Sequence, residues 1–307
     1  MKKPRIRIDS GITGTNTVTD EDGAGNLRFR INVGASNTNG VATLRNAVVN
    51  PQAHYLNLHT SVNPGGAIRA QLAGAAARPT ITSGGVVNGT FAVGVNQAAP
   101  GSIVSIFGTN LAPGATGGVV ANGSLTKSLA GTSVRFAAVE APLLYVSPTQ
   151  INAQVPYQLG PGPKNIVIAT PGGSAVGTDS TRRLVISAVA PSIFAIVKNS
   201  NFMPVTATNT AKTGDAIAVF ATGLGAGTPA VATGQLPPAN PLSTTVVIPT
   251  ATIGGIPAQV AASLLAPGLV GVAQINLIVP GGTPSGMQAV QLSVDGVLSN
   301  SVMIHVQ

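Results

Sequence analysis

The chain carries one stretch twice, and that duplication constrains its fold more than any other feature. Gly101-Ser-Ile-Val-Ser-Ile-Phe-Gly-Thr-Asn-Leu-Ala-Pro-Gly114 returns as Gly214-Asp-Ala-Ile-Ala-Val-Phe-Ala-Thr-Gly-Leu-Gly-Ala-Gly227, 113 residues later (101 to 214). Phe107 and Phe220, Thr109 and Thr222, and Leu111 and Leu224 coincide. A second block, Gln150-Ile-Asn-Ala-Gln-Val-Pro156, returns as Gln274-Ile-Asn-Leu-Ile-Val-Pro280, 124 residues later (150 to 274). Both blocks are β-branched, alternating runs closed by glycine or proline, the pattern of strands ending in turns. A fixed order with a shifting offset marks duplicated domains with insertions between matched strands, not a short solenoid repeat.

The rest of the chain fits this reading. Gly 38 and Pro 23 together make about a fifth of the 307 residues, and aromatics are only 3% with no Trp, so cores must be built from Val, Ile, Leu and Ala. Short strands joined by frequent turns satisfy both facts, and long helices do not. We therefore expect an all-β chain: a partial β unit at residues 1–74, a linker at 75–83, and two tandem immunoglobulin-like sandwiches at 84–189 and 190–307. In the first unit, strands are expected at residues 6–9, 27–33, 55–59 and 67–72, with a short helix over 41–50. Asn88-Gly89, Asn122-Gly123 and Asp295-Gly296 read as hairpin turns. Val246-Val-Ile and Ala251-Thr-Ile-Gly-Gly-Ile-Pro are expected as strands of the second copy. In the Gln150 block, Gln150, Asn152 and Gln154 point away from Ile151, and their amides are expected to bond loop backbone and so to be structural.

Two resemblances refine the picture. His54-Tyr-Leu-Asn-Leu-His-Thr-Ser-Val-Asn-Pro-Gly-Gly-Ala-Ile-Arg-Ala-Gln-Leu72 resembles the closing motif of the chordin-type CHRD domain, which implies that only the second half of such a domain is present; Ala67 stands where that family usually has an acidic residue. Ala99-Pro-Gly-Ser-Ile-Val-Ser-Ile-Phe-Gly-Thr-Asn-Leu111, Pro142-Leu-Leu-Tyr-Val-Ser-Pro-Thr-Gln-Ile-Asn-Ala-Gln-Val-Pro156 and Ile253-Gly-Gly-Ile-Pro-Ala-Gln-Val260 resemble an uncharacterised C-terminal domain of secreted acidobacterial proteins, itself similar to the IPT/TIG immunoglobulin-like fold. The second resemblance implies export and a sandwich fold, and implies no activity.

Charge and chemistry narrow the function. The net charge is +8, but charged residues are only 8% of the chain and none lies between Asp215 and Asp295. Nucleic-acid binders mass basic groups on one face, preferably with stacking aromatics, and this chain does neither. There is no cysteine, so disulfides, thiolate metal sites and cysteine nucleophiles are excluded. Residues 251–279 are uncharged, but their glycines, prolines and amides forbid a membrane-spanning helix. Met1-Lys-Lys-Pro-Arg resembles the start of a signal peptide with no apolar core behind it, so no signal peptide is read in this chain. Asp20, Asp22 and Asn26 are the one weak calcium candidate, in a run lacking the distal Glu of a calcium loop; an acidic hairpin turn accounts for them better. His54 and His59 fall on opposite faces of a strand, which opposes a shared metal even with His305. Gly223-Leu-Gly-Ala-Gly227 has no helix behind it to cradle a phosphate and reads as a turn. Glu140, Asp179, Asp215 and Asp295 are not forced into a catalytic pair, and no serine is set beside a base. No catalytic residue, cofactor or metal is assigned. The expected function is that of a non-enzymatic secreted or cell-surface module for adhesion, spacing or interaction, with an unknown protein or surface partner and no nucleic acid. The alternatives are a self-assembling subunit joined through uncharged strand edges, and a carbohydrate-binding module.

Overall fold

The structure is a computed structural model that describes residues 38–53, 55–58, 68–71, 77–89 and 96–307. The expected strands at 6–9 and 27–33, the candidates Asp20, Asp22 and Asn26, and both His54 and His59 lie outside the described residues. The chain divides into two compact units, Met1–Ala76 and Ala77–Gln307. In the first, an α-helix spans Thr38–Val49, close to the expected 41–50, and a 3-10 turn follows at Pro51–Ala53. Strands Tyr55–Leu58 and Ile68–Gln71 then pair antiparallel, with Tyr55 opposite Gln71 and Leu58 opposite Ile68.

The second unit is all β among the described residues and holds two hydrophobic cores, one drawn from residues 81–186 and the other from 189–306. The duplicated stretches form strands Ile103–Thr109 and Ala216–Thr222, again 113 residues apart. Each pairs antiparallel with the strand of the second repeated block, Gln150–Gln154 or Ala273–Ile278, and in the same register: Phe107 faces Gln150 as Phe220 faces Gln274, and Ile106 faces Ile151 as Val219 faces Ile275. The opposite layer repeats as well. Phe136 pairs with Ile166 in the first sandwich, and Ile253 with Val290 in the second. Even the parallel contact of Ala98 with Ile186 returns as Ala211 with Val306.

Register alone does not fill a core; side-chain volume must match too. On the first sheet, Val104, Ile106, Ile151 and Ala153 are replaced in the second sandwich by Ile217, Val219, Ile275 and Leu277. On the facing sheet, Val134, Phe136, Ile166 and Ile168 are replaced by Ala251, Ile253, Val290 and Leu292. The bulky Phe136 thus belongs to the core with Ala153, and the smaller Ile253 to the core with Leu277. Volume is exchanged between layers rather than gained or lost, as a conserved backbone requires. Phe107 and Phe220 occupy the same place on the outer face, half-buried.

Several expectations change. The edge strand of the first sandwich runs over Thr80–Asn88, so its first four residues lie inside the expected linker. Arg182 Nε donates to Ile81 O and Gly84 N donates to Thr181 O, which supplies partners that a linker would lack. The expected strand Val246-Val-Ile is absent. Only Thr244–Thr245 is paired there, Pro249 restricts the residue before it, and Val246 and Ile248 are exposed. The expected strand beginning at Ala251 is a hairpin, Thr250–Ile253 with Ile256–Leu265, because Gly254 and Gly255 (φ 61° and 80°) turn the chain. Asn122-Gly123 and Asp295-Gly296 form hairpin turns with both residues at positive φ.

Candidate functional site

Three of the four described carboxylates, Glu140, Asp179 and Asp215, are engaged separately. Glu140 accepts from Arg135 at 3.1 Å and Asp215 from Lys198 at 2.9 Å. Asp179 is bound by the Thr181 hydroxyl and by Arg182, which hold its pKa down to about 2. The hydrogen bond from the Lys198 ammonium, and after it that from the Lys212 backbone N–H, likewise keep Asp215 below the ordinary aspartate range. Among the described residues, no group of three or more His, Asp or Glu is placed to hold a metal ion, and no helix is long and apolar enough to cross a membrane. His305 stands on strand Val302–Val306 opposite Met287. Residues 223–227 turn the chain, with Gly223 and Gly225 at positive φ, and lead into the short strand Gly227–Thr228 rather than a helix.

The seam between the sandwiches is where chemistry-bearing side chains converge. The Thr222 hydroxyl, at the end of the second duplicated strand, accepts from Ile103 N (3.0 Å) at the start of the first and donates to Gly271 O (2.7 Å). Gln154, only 2% exposed, donates through Nε2 to Gly101 O (3.3 Å) and accepts at Oε1 from Gly234 N (2.6 Å). The loop at 231–236 lies along the Asn122-Gly123 hairpin of the first sandwich. Leu125 N donates to Gly234 O and Leu236 N to Gly123 O, two ladder bonds across the seam. Tyr157 N donates to the Thr233 hydroxyl, which donates in turn to Gln158 Oε1. The connecting residues are held at both ends: Ser187 N donates to Ala98 O, and Ala190 N to Gly223 O.

Close approach at this seam demands glycine. A Cβ on Gly223 would stand 1.8 Å from Ala190 O, and one on Gly89 would stand 2.6 Å from the Phe194 ring. A Cβ on Gly101 would meet the Tyr157 ring at 2.3 Å, so that ring is packed on backbone rather than presented to solvent. Beside it opens a cleft of about 310 Å³, lined by Pro100, Tyr157 and Ala188 and by Gly225, Ala226, Ala230 and Val231. Tyr157 is its one ionisable lining residue, and burial pushes the phenol's pKa upward, so it keeps its proton. A cleft of small apolar side chains with one protonated phenol has no nucleophile–base pair and no anion to hold a cation. The arrangement can fix two bodies together.

The amides of the Gln150 block behave partly as expected. Gln154 bonds loop backbone, while Gln150 Nε2 donates to Asn152 Oδ1 (2.8 Å), as Gln274 does to Asn276 (2.9 Å). Sequence reading missed that Gln154's loop belongs to the other sandwich, and it missed Thr222, Tyr157 and Phe194 as seam residues. One signal was present: Gln154 is polar where its repeat counterpart, Ile278, is apolar.

No family model matches the chain, and no curated protein matches it. Solved structures similar to it include the plexin A4 extracellular region (12% identity, 75% of this chain, 18% of that one, TM-score 0.26). Others are SGBP-B from a xyloglucan utilization locus of Bacteroides uniformis (16% identity, 74% and 49%, TM-score 0.23) and a tandem of titin Ig domains (11% identity, 69% and 90%, TM-score 0.21). The chain spans under a fifth of the plexin region and about half of SGBP-B. Likenesses this distant say nothing about what the chain binds. Its fold class rests on its own paired and facing sheets: among the described residues, a nearly all-β chain with tandem immunoglobulin-like sandwiches.

Proposed function

We propose that the chain is a non-enzymatic, secreted or cell-surface spacer and interaction module whose two sandwiches, residues 80–189 and 190–307, present their surfaces in one fixed orientation. The observation that carries this is the seam. Thr222, Gln154 and the 231–236 loop join the sandwiches by side-chain and backbone hydrogen bonds, and only Ala188 and Val189 separate the two pinned ends of the connection. Flexible tandem modules are joined by linkers with few crossing contacts; this junction is the opposite case. The scarcity of charge in the second sandwich, with no charged residue between Asp215 and Asp295, and the resemblance to domains of secreted proteins support the extracellular assignment. The same reading treats residues 1–74 as a partial CHRD-like unit and assigns no catalytic residue.

Because the chain lacks cysteine, introduced cysteines can be labelled alone. Spin labels at Val176→Cys and Leu298→Cys, both exposed and one in each sandwich, are expected to give a single narrow distance distribution. A broad distribution, as from a hinge at Ala188 and Val189, would refute the fixed orientation.

A further inference from the structure

Two of the chain's four methionines and one of its three histidines fall on one patch of the second sandwich. Strands Gly286–Val294 and Val302–Val306 pair antiparallel, with Met287 opposite His305 and Ala289 opposite Met303. Side chains alternate along a strand, so Met303 and His305 share the outer face while Ile304 and Val306 turn to the core. Met287 and Ala289 lie on that same outer face, because Val290 and Leu292 of their strand are core residues. Met287 and Met303 are 49% and 48% exposed, and His305 is half-buried.

The register draws the three donors together. Ala211 N donates to His305 O (2.9 Å) and Gln307 N to Ala211 O (2.8 Å), on the side of the strand away from Gly286–Val294. The N–H and C=O of one strand residue point to the same side, so Met287 and His305 face each other without hydrogen-bonding. Pairs of that kind are the closer ones, with Cα atoms about 4.5 Å apart. Met303 stands diagonally from Met287, a spacing of about 7–8 Å that long side chains bridge. Its own partner across the ladder is Ala289, whose methyl leaves room between them. The fold itself does not ask for this set. In the first sandwich Gly162 pairs with Ile186 as Gly286 pairs with Val306, and Pro163 with Val185 stands in the place of Met287 with His305. Arg183 takes the place of Met303.

We propose that Met287, Met303 and His305 form a binding site for a soft monovalent cation, Cu(I), for which Ag(I) is the air-stable stand-in. Thioether sulfur and imidazole nitrogen are the donors that suit Cu(I). Zinc calls for further imidazoles, thiolates or carboxylates, and calcium for several oxygens. Among the described residues no group of three or more His, Asp or Glu supplies either, and a search for such groups passes over a site made of thioethers. The chain has no cysteine, so methionine is the one soft sulfur it offers. A thioether, unlike a thiol, is not lost to disulfide formation in an oxidising compartment. The three residues make none of the seam contacts, so the site does not depend on the sandwiches being fixed to each other.

The scarcity of methionine makes the test direct. In the full chain, isotope-labelled at the methionine methyls, titration with silver nitrate in chloride-free buffer is expected to shift the Met287 and Met303 signals in NMR spectra. The shifts should saturate at one ion per chain, while Met203, exposed elsewhere, stays in place. Cu(I), delivered without oxygen from a chromogenic chelator, should bind in the same ratio. Met287→Leu, and His305→Val, which installs the first sandwich's residue, should each keep their circular dichroism and melting. Each should weaken binding by at least about tenfold, the lower end of the loss when only an outer partner of a metal ligand is removed. Met203→Leu should bind unchanged, and Zn(II) at the same concentration should shift none of the methyl signals. The proposal is overturned if no methyl signal moves, or if Met203 responds alongside the other two, which would mean adventitious thioether binding only. It is equally overturned if Zn(II) produces the same shifts or if either folded variant binds as the wild type does.

Discussion

Removing the Gln154 side chain tests the seam most directly. This amide is 2% exposed and joins Gly101 O of one sandwich to Gly234 N of the other. Each hydrogen bond contributes about 1 kcal/mol net, and a buried N–H left without a partner costs about 1–3 kcal/mol. Gln154→Ala strips both bonds, orphans the Gly234 N–H and opens a void, so a loss of about 2–4 kcal/mol is expected. Gln154→Met keeps most of the volume and should lose less, because only the hydrogen-bond part remains. Guanidinium unfolding of the full chain, followed by circular dichroism, reads both as shifts in midpoint. The Val176–Leu298 label distance should broaden in Gln154→Ala, since the loop at 231–236 loses its anchor on the first sandwich. A Gln154→Ala protein within about 0.5 kcal/mol of wild type, with its distance distribution unchanged, would refute the reasoning.

Two further outcomes follow from the same structure. Gly271 has φ 76° and a Cβ there would stand 2.7 Å from the Ile103 side chain across the seam; Gly271→Ala is expected to cost about 1–3 kcal/mol in unfolding midpoint and to shift the label distance, whereas Gly282→Ala, with φ 80° and room for a Cβ, should lower stability without moving the labels. Asp215 has its pKa lowered chiefly by the Lys198 ammonium that donates to it, so its contribution is complete above the ordinary aspartate value of 3.8 and is lost as pH falls through the depressed folded value; Asp215→Asn is expected to be less stable at neutral pH and to show a flatter decline in melting temperature on acidification below about pH 4.

What the sequence discloses and what it hides divide along the repeat. Strand partners and register were legible because one face of each strand is buried and the other is not. A slip of one residue would turn Ile106 and Val104 outward, so the alternation at 103–109 and 150–154 specifies the pairing. Hairpins at Asn122-Gly123 and Asp295-Gly296 were legible because those residues adopt positive φ readily. The seam was not, because it joins the start of one duplicated strand to the finish of the other, so each copy uses a different one of two ends that the repeat makes alike. Nothing local in Thr222 distinguishes it from Thr109, yet one bonds Ile103 across the seam while the other pairs with Thr80 inside its own sheet. Val246 and Ile248 misled for the converse reason: they are β-branched and apolar, but Pro249 and the surrounding turn leave them exposed.

Differences between matched positions therefore fall into two kinds, and the distinction is testable. Seam differences such as Gln154 against Ile278 answer to a partner outside the sandwich; core differences such as Phe136 against Ile253 and Ala153 against Leu277 answer to neighbours inside it, because all four are wholly buried. If volume passes between facing sheets, Phe136→Ile alone leaves a void and costs about 1–2 kcal/mol, and Ala153→Leu alone overpacks and costs about 1–3 kcal/mol. Made together they reproduce two of the second sandwich's choices, and the double variant should recover at least about 1 kcal/mol relative to the sum, a coupling typical of residues sharing one space. The cycle is measured by unfolding of the four full-length proteins. Simple additivity would mean that each sandwich adjusted Phe136 and Ala153 against other neighbours, and that the matched exchange between the copies is coincidence rather than compensation.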